Sequence, residues 1–408
     1  MKATCVLVCL IIGTILVACA GPSQDDLDAQ PTEIAADAQA SQASEAPITT
    51  NTQAQEYLDQ GVANAQAGDL EQAIRDFDEA IELDPGYARA YYNRGLAYYD
   101  LGDYELAIAD YTKAIQLDPN DAIYYNNRGR AYDNVGDYEQ AIAEYAKALE
   151  LDPEASAPYI NRGNVYYDQG DYEKAIADYT KAIQLDPDDP DPYYNRGRAY
   201  YDQGEYQQAI ADFTKRIELD PDYAGAYYYR GMDYYSLGDY EQAIADFTKA
   251  IELDPDNPAL YINQGLAYYE QGDYQQAIAN YTKALELGPD YADAHMHRGI
   301  AYAGQGDFEA AIADFDKAIQ VDADYADAYM NRGIAYAGQG DFDAAIADFD
   351  KAIRLDSGDA KAYLLRGRAY FEIGERETAI SDLERALELG LEPSLKQDAE
   401  ALLEELRR

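Results

Sequence analysis

The residues that could carry acid–base, nucleophilic or metal chemistry are few and poorly placed for it. His295 and His297 are two residues apart and would point to different sides of a helix, which favours packing over metal binding. The only cysteines, Cys5, Cys9 and Cys19, lie in the first 19 residues, so the body of the chain can hold no disulfide or cysteine-based zinc site. Nucleophile motifs, phosphate-binding loops and non-repeating pairs of carboxylates do not occur. We therefore expect a protein that is not an enzyme and has no cofactor and no structural or catalytic metal.

Acidic residues dominate the charge of the chain. Its 408 residues include 78 acidic and 31 basic ones, which gives a formal net charge of −47. Such a charge repels phosphate backbones and excludes a polybasic contact with anionic lipids, so we expect no nucleic-acid partner. Hydrophobic residues make up 48% of the chain, as in folded proteins, so the acidity does not indicate global disorder.

Runs of acidic residues could in principle bind calcium. The run from Asp186 to Asp191 offers oxygen ligands but lacks the fixed glycine and terminal glutamate of an EF-hand loop. We interpret these runs as solvated turns, and weak, non-specific calcium association stays open.

The N-terminus has the features of an export signal. Lys2 precedes an apolar stretch that is too short to span a bilayer well, and Leu16, Val17 and Ala18 lead to Cys19. This segment resembles the lipobox of bacterial lipoproteins. The resemblance implies that residues 1–18 are a signal peptide, that Cys19 is lipidated, and that acyl chains anchor the protein to a membrane outside the cytoplasm. It also implies the outer membrane if the cell has two membranes. The alternative is an ordinary signal peptide with an incidental cysteine.

A polar segment follows the signal. Residues 20–53 are rich in Ala, Gln, Ser, Thr and Asp and contain no aromatic residue. With so little apolar surface to bury, residues 19–53 are predicted to form a lipidated, disordered tether.

The remaining chain is a repeat array. Glycines recur every 34 residues without an insertion, from Gly61 to Gly367. With this glycine as repeat position 8, ten repeats fill residues 54–393, and residues 394–408 continue at helical spacing as a capping helix. Position 4 is Tyr in nine repeats, position 11 is Tyr in nine, position 20 is Ala in all ten and position 24 is aromatic in nine.

This period and this pattern resemble the tetratricopeptide repeat (TPR) family. The resemblance implies an all-α fold, a right-handed superhelical solenoid of about ten helix-turn-helix units. The residues agree with it: positions 4, 8 and 11 share one helical face, and positions 17, 20, 21, 24, 27 and 28 share another. A glycine at position 15, such as Gly102, suits the end of the first helix, and the acidic residue after it suits the start of the second. Proline at position 32 then stops the second helix.

Position 7 departs from the usual pattern. Eight repeats carry arginine there, such as Arg162, and nine carry an acidic residue at position 23, such as Asp178. In the seventh repeat both positions are neutral, with Gln264 and Asn280. We predict an arginine–carboxylate pair between the two helices of a repeat or across neighbouring repeats. The alternative is a set of independent solvated charges.

The resemblance further implies a concave groove, lined by positions 2, 5, 9, 12 and 13 of the first helices, that binds partner proteins or peptides. Tyrosines and carboxylates line most of it, which favours a basic or amine-bearing partner, and two later repeats offer an apolar patch. The candidate contact residues are Tyr92, Tyr99, Tyr167, Tyr194, Tyr201, Tyr228, Tyr235, Tyr269, Met296, Ile300, Met330 and Ile334. The alternative for each tyrosine is that it only packs neighbouring helices.

These observations predict a membrane-anchored, non-catalytic interaction scaffold of the cell envelope. A protein that binds envelope glycans through groove tyrosines is the alternative function, and a structural spacer without a specific ligand is the third.

Overall fold

The computed structural model describes residues 52–408. The predicted signal peptide, the lipidation of Cys19 and nearly all of the predicted tether lie outside the described residues. The first helix begins at Thr52 and so includes the last two residues of the predicted tether.

The described chain is all-α, as predicted. Ten helix pairs follow one another, one for each sequence repeat, and a single helix follows the last pair. The helices are α1 (Thr52–Gln66), α2 (Leu70–Leu83), α3 (Ala88–Asp100), α4 (Tyr104–Leu117), α5 (Ala122–Asn134), α6 (Tyr138–Leu151), α7 (Ala157–Asp168), α8 (Tyr172–Leu185), α9 (Asp191–Asp202), α10 (Tyr206–Leu219), α11 (Ala224–Ser236), α12 (Tyr240–Leu253), α13 (Pro258–Glu270), α14 (Tyr274–Leu287), α15 (Ala292–Gly304), α16 (Phe308–Val321), α17 (Ala326–Gln339), α18 (Phe342–Leu355), α19 (Ala360–Glu372), α20 (Arg376–Leu389) and α21 (Pro393–Arg407).

Two compact units divide the described residues, an N-terminal unit that ends at Asp222 and a C-terminal unit that begins at Tyr223. The N-terminal unit contains α1–α10 and the C-terminal unit contains α11–α21. Within each unit the odd-numbered helices up to α19 are the first helices of the repeats, and the even-numbered helices are the second helices.

The two helices of each repeat meet where the glycine at position 8 faces the side chain at position 24. A Cβ atom added to Gly163 would lie 2.7 Å from Cε1 of Tyr179, so only glycine allows this approach. The ring at position 24 is fully buried in each of the nine repeats that carry one, and Tyr179 is 1% exposed. In the last repeat Leu383 replaces the ring and is also fully buried against Gly367.

The turns follow the predicted signals. Gly170, at position 15, has φ of 74°, a left-handed conformation that glycine adopts without strain. Asp171 then caps the second helix, which begins at Tyr172. The Asp171 side chain accepts a hydrogen bond from the backbone N–H of Lys174. Leu185 ends that helix two residues before Pro187, which cannot continue it.

Positions 5 and 10 of the first helices are more buried than the predicted face assignment requires. Tyr194, at position 5, is 6% exposed, and its ring lies 6.0 Å from that of Phe213 on the second helix of the same repeat. The tyrosines at positions 4 and 11 lie closer to solvent, beside the arginine at position 7: the guanidinium of Arg94 is 5.6 Å from the ring of Tyr91. The predicted inward and outward faces are therefore rotated, because the narrow position-10 side chain, usually alanine, brings neighbouring first helices together.

The predicted arginine–carboxylate pair is present in all eight repeats that carry the arginine. In the fourth repeat Arg162 donates two hydrogen bonds of 2.8 Å, from Nε and Nη2, to the two carboxylate oxygens of Asp178. Several of these arginines also reach position 25 of the preceding repeat: Arg196 donates to Thr180 Oγ1 at 2.9 Å, and Arg366 donates to Asp350 at 2.5 Å. We call this arrangement the arginine clasp; it joins the two helices of a repeat and, where position 25 is polar, the preceding repeat as well.

The two repeats without the arginine replace the clasp differently. In the first repeat Asn64, at position 11, and Gln72 donate hydrogen bonds to Asp76. In the seventh repeat Gln264 donates to Thr248 Oγ1 of the preceding repeat at 2.7 Å, whereas Asn280 bonds only within its own helix. The link between repeats thus survives the loss of both charges.

The fourth repeat offers a clean test of the clasp, because position 25 of the third repeat is Ala146 and adds no polar contact. Asp178→Ala leaves the partly buried Arg162 guanidinium without its carboxylate, and we expect a loss of about 3 kcal/mol in the free energy of unfolding. The double variant Arg162→Gln with Asp178→Asn introduces the residue types of the seventh repeat without an equivalent of Thr248, and it should recover part of that loss because no partly buried charge is left unpaired. Denaturant titration measures both values. Equal destabilisation by the single and double variants would contradict a charge-dependent clasp.

Asp233 is a departure from the repeat pattern with an energetic consequence. It occupies position 10 of α11, is fully buried, and has no hydrogen-bond partner for either oxygen in the part of the chain that the structure describes. Burial therefore raises the pKa of Asp233 to about 8.

Replacing Asp233 should stabilise the protein and remove a pH dependence. The folded chain holds the Asp233 proton up to about pH 8, whereas the unfolded chain releases it near pH 4. Unfolding therefore releases a proton in this window, and the contribution of Asp233 to the free energy of unfolding falls as pH rises through it. We expect Asp233→Ala to raise that free energy by about 5 kcal/mol at pH 9, because a pKa shift of about four units corresponds to that value, and to have little effect at pH 4. Thermal melts across this range measure the effect, with Asp256→Ala at an exposed turn as the control; a destabilised Asp233→Ala variant would refute it.

The last helix, α21, is the predicted capping helix. Ala399, Leu403 and Leu406 are buried against the last repeat, in a cluster with Leu364 and Leu383. The opposite side of α21 is charged and exposed. Among the described helices, none has the length and apolar character needed to cross a bilayer.

Candidate binding face of the first helices

The surface formed by positions 9, 12 and 13 of the first helices is the candidate binding face. We call it the first-helix face and describe it separately in each unit. Seven of the twelve predicted contact residues lie beneath it, because they are at most 8% exposed: Tyr92, Tyr194, Tyr228, Met296, Ile300, Met330 and Ile334. The position-5 residues pack between helices under the face. At position 9, Ile300 and Ile334 are also buried, so these seven side chains present little surface to a partner.

The other five predicted residues, all tyrosines at position 12, are half-buried on the face: Tyr99, Tyr167, Tyr201, Tyr235 and Tyr269. Each ring packs against the tyrosine at position 17 of the same repeat. The ring centroids of Tyr99 and Tyr104 are 5.3 Å apart, and those of Tyr167 and Tyr172 are 5.5 Å apart. A pair of rings is therefore held at a fixed angle in each of these repeats, as rigid contact area.

In the N-terminal unit, side chains from neighbouring repeats connect across this face. The amide of Asn134 donates to the hydroxyl oxygen of Tyr99 at 2.9 Å, and the guanidinium of Arg130 lies 4.8 Å from the Tyr99 ring. Two repeats later, Tyr167 donates to Asp202 at 2.5 Å, and the guanidinium of Arg198 lies 4.9 Å from the Tyr167 ring. In both cases the residue at position 12 of one repeat contacts two residues of the next repeat, at positions 13 and 9. We call each such row a rung.

The rung between these two holds two acceptors, and Asn164 lies at position 9, where the other two rungs have an arginine. Asp133 is at position 12 of the third repeat and Asp168 is at position 13 of the fourth. Neither carboxylate accepts a hydrogen bond from any residue in the range 52–408. Burial, and then the charge of Asp168, raise the pKa of Asp133 to about 6. Burial also raises the pKa of Asp168, and the nearby Arg198 opposes that rise.

The first-helix face of the C-terminal unit changes character in its later repeats. In the seventh repeat position 13 is still a carboxylate, Glu270, and burial raises its pKa. In the eighth and ninth repeats position 13 is Gly304 and Gly338, and rings of the preceding repeats fill the space: Cβ atoms added there would lie 3.2 Å from Tyr274 and 2.7 Å from Phe308. The predicted apolar patch of these repeats is therefore covered by aromatic side chains.

A cavity of about 110 Å³ lies at the start of the N-terminal unit. It runs between α1, α3 and α5, and its lining includes Val62, Leu96 and Tyr124. Val62 and Leu96 lie at position 9 and Asp100 lies at position 13 of the predicted groove, but none of the three is among the candidate contact residues that the sequence suggested. The sequence does contain a signal for this cavity: position 12 is the small Ala65 in the first repeat, whereas most later repeats have a tyrosine there.

The two histidines act in packing. His295 takes the tyrosine position 4, and its ring nitrogens lie 3.2 Å from Asp314 Oδ1 and 3.2 Å from the carbonyl oxygen of Pro289. Tyr193, at the same position of the fifth repeat, donates a hydrogen bond to the carbonyl oxygen of Pro187 at the end of the preceding repeat. His297 is buried, and burial lowers its pKa. Among residues 52–408, no group of three or more His, Cys, Asp or Glu side chains is placed to hold a metal ion.

Comparisons with known proteins identify the class defined by these helix pairs. Sequence profiles described as "TPR repeat" match residues 61–102, 134–170, 163–204, 231–272 and 265–306. Profiles described as "Tetratricopeptide repeat" match residues 88–121, 190–223, 298–360, 330–399 and 110–143. The chain belongs to the tetratricopeptide repeat family. No curated protein matches it in sequence.

Several solved structures resemble parts of the chain. The crystal structure of YrrB, described as a TPR protein with an unusual peptide-binding site, is 28% identical with a TM-score of 0.42, and the match covers 48% of this chain and 97% of YrrB. MamA is 30% identical with a TM-score of 0.39, over 40% of this chain and 94% of MamA. Yeast Tom70 is 18% identical with a TM-score of 0.44, over 87% of this chain and 95% of Tom70.

The two-acceptor rung predicts a specific titration. Asp168→Asn removes the like charge beside Asp133, so the pKa of Asp133 should fall below about 6 but stay above 3.8, because burial is the larger cause of its rise. Carboxyl carbon chemical shifts measured by NMR against pH report this value. The variant Asp188→Asn, at an exposed turn, is the control and should leave the pKa of Asp133 unchanged. A pKa of Asp133 near 4 in the unsubstituted protein would contradict the described environment.

Proposed function

We propose that this TPR protein is a non-catalytic scaffold that binds partner proteins or peptides on the first-helix face. The observation that carries the proposal is the set of half-buried position-12 tyrosines, each fixed against a second ring. Ordered aromatic side chains lose little conformational freedom on binding, and they are enriched among the residues that dominate interface energies. Membership of the TPR family supports the same class of function.

The buried residues beneath the face explain its rigidity. Tyr92 packs its ring 5.0 Å from that of Tyr124 in the next repeat, so neighbouring first helices are locked together under the surface. The half-buried tyrosines at position 12, such as Tyr99 and Tyr167, therefore lie on packed helices whose arrangement does not need to change when a partner binds. A preformed surface of this kind suits an extended peptide or a protein loop.

We further propose that the protein acts in the cell envelope, anchored by lipid on Cys19 and facing away from the cytoplasm. The lipobox-like segment that ends at Cys19 supports this location. The many carboxylates of the chain favour partners with basic surfaces through attraction at a distance.

The experiment captures envelope proteins on the immobilised full-length chain, identifies them, and titrates a purified partner by calorimetry. The test variant is Tyr99→Ala with Tyr167→Ala. The control is Tyr291→Ala, at a tyrosine that is exposed outside the first-helix face and outside the ring pairs. We expect at least a tenfold loss of affinity in the test variant and less than a twofold change in the control, because rigid aromatic contacts commonly carry about 2 kcal/mol each.

The alternatives give other results. Unchanged partner binding by the test variant would refute the use of this face. Retention of cell-wall glycans that the test variant loses would favour the glycan-binding function. The absence of both protein and glycan binding would favour a structural spacer.

A further inference from the structure

The cavity between α1, α3 and α5 has the shape of a trough along α3. Its lining runs from Arg89, in the first turn of α3, to Asp100 at the end of that helix. Eleven residues of helix separate these two ends, which corresponds to about 16 Å. An extended chain of about five residues spans that length.

The walls of the trough are mostly apolar. Val62 of α1, Leu96 of α3 and Ile123 of α5 contribute aliphatic surface, and the rings of Tyr92 and Tyr124 form the base. The volume of about 110 Å³ suits one or two aliphatic side chains.

The surface that continues from the trough carries several carboxylates, with Arg130 beside the Tyr99 ring as a cation among them. Asp100 lies at one end of the trough and accepts no hydrogen bond from residues 52–408. The next two first helices, about 10 and 20 Å further on at ordinary helix spacing, bring Asp133 and Asp168 into the two-acceptor rung. The rungs on either side have Arg130 or Arg198 at position 9, whereas this one has Asn164 there and so lacks a cation.

We propose that the trough docks an extended segment of a partner protein, with aliphatic side chains in the trough and a lysine or arginine, three to six residues away, between Asp133 and Asp168. The aliphatic part matches Val62, Leu96 and Ile123. The cation supplies the positive charge that this rung lacks and offsets the repulsion between the two carboxylates. This inference rests on the proposed function and names the chemistry of its partner.

Charge also distinguishes the partner from the chain's own N-terminal segment. Residues 20–51 contain acidic residues but no lysine or arginine, so they bring no cation to the two-acceptor rung. A second copy of this protein would bring its own large excess of negative charge toward the same carboxylates. A basic partner meets neither obstacle.

The test measures binding of three fluorescein-labelled peptides to the full-length chain by anisotropy at pH 7.5. The probe is Leu-Val-Leu-Gly-Ser-Gly-Ser-Lys-Gly-Lys. One counterpart replaces both lysines with glutamate, and the other replaces the aliphatic residues with serine. We expect each counterpart to bind at least tenfold more weakly than the probe.

Two variants locate the binding. Asp133→Asn with Asp168→Asn removes the charges of the rung without adding bulk, and it should weaken probe binding about tenfold. Leu96→Asn alters the trough at position 9, where the fourth repeat already carries Asn164, so we expect the fold to be kept and the advantage of the aliphatic probe to be lost. Asp188→Asn with Asp222→Asn removes the same charge from exposed turns and should change binding less than twofold.

Each contrary outcome overturns the inference. Equal weakening by the Asp188 and Asp222 variant would show that only long-range attraction acts. Equal binding of the lysine and glutamate peptides, or no binding of any peptide, would remove the partner chemistry assigned here. At least tenfold tighter probe binding after deletion of residues 20–51 would assign the trough to the chain's own segment, and a dimer lost on Leu96→Asn would assign it to a second copy.

The proposed function is judged separately. It stands if captured envelope partners still depend on Tyr99 and Tyr167 while the peptides fail. It fails with the inference only if partner capture is also insensitive to those tyrosines.

Discussion

Contact between a glycine and a buried ring is the interaction on which every repeat depends. At Gly163 and Tyr179 the two helices approach so closely that a methyl group would overlap the ring. This contact fixes which side of each first helix faces its partner. All other positions on that helix are then assigned by the 3.6-residue period: position 7 to the arginine clasp, positions 5 and 10 to the neighbouring first helices, and positions 12 and 13 to the candidate binding face.

The arginine clasp adds polar links to this apolar arrangement. A bidentate pair such as Arg162 with Asp178 requires defined positions of both helices, because guanidinium and carboxylate must be coplanar. Such a pair contributes orientation as much as stability, since both ions lose hydration when partly buried. The seventh repeat, in which Gln264 keeps only the link to the preceding repeat, shows that the stacking itself tolerates neutral residues.

Much of the fold could be predicted because identical demands recur ten times in the sequence. The left-handed glycine at position 15, the aspartate after it and the proline at position 32 each have one local physical cause, and a single sequence reveals them. The arginine clasp was also predicted, because the seventh repeat loses both charges together. Its extension to position 25 was not, since Thr180 and Asp350 share only the ability to accept a hydrogen bond.

The candidate site was less predictable, because burial at a helix surface depends on the neighbouring repeat. Tyr194 and Tyr201 have the same residue type and lie on the same predicted face, yet Tyr194 is buried against Phe213 and Tyr201 is half-buried. Helical periodicity predicts the direction of a side chain to within about one residue position. An error of that size decides whether the side chain is buried between helices or exposed to a partner. The two-acceptor rung was invisible for a related reason: Asp133 and Asp168 belong to different repeats and differ in repeat position.

The links between repeats have a consequence for how such a chain changes in length over evolution. Arg332 meets Asp316 and Asp348, and Arg366 meets Asp350 and Asp382, so consecutive junctions present the same chemistry on both sides. A gene duplication or deletion of one whole 34-residue segment there would join compatible surfaces and leave no mismatched junction. At departures such as Asp133 beside Asp168, the junction differs from its neighbours, so the repeats there could not be exchanged for others without changing the surface. At those places the identity of a repeat, and not only the number of repeats, sets what the surface presents.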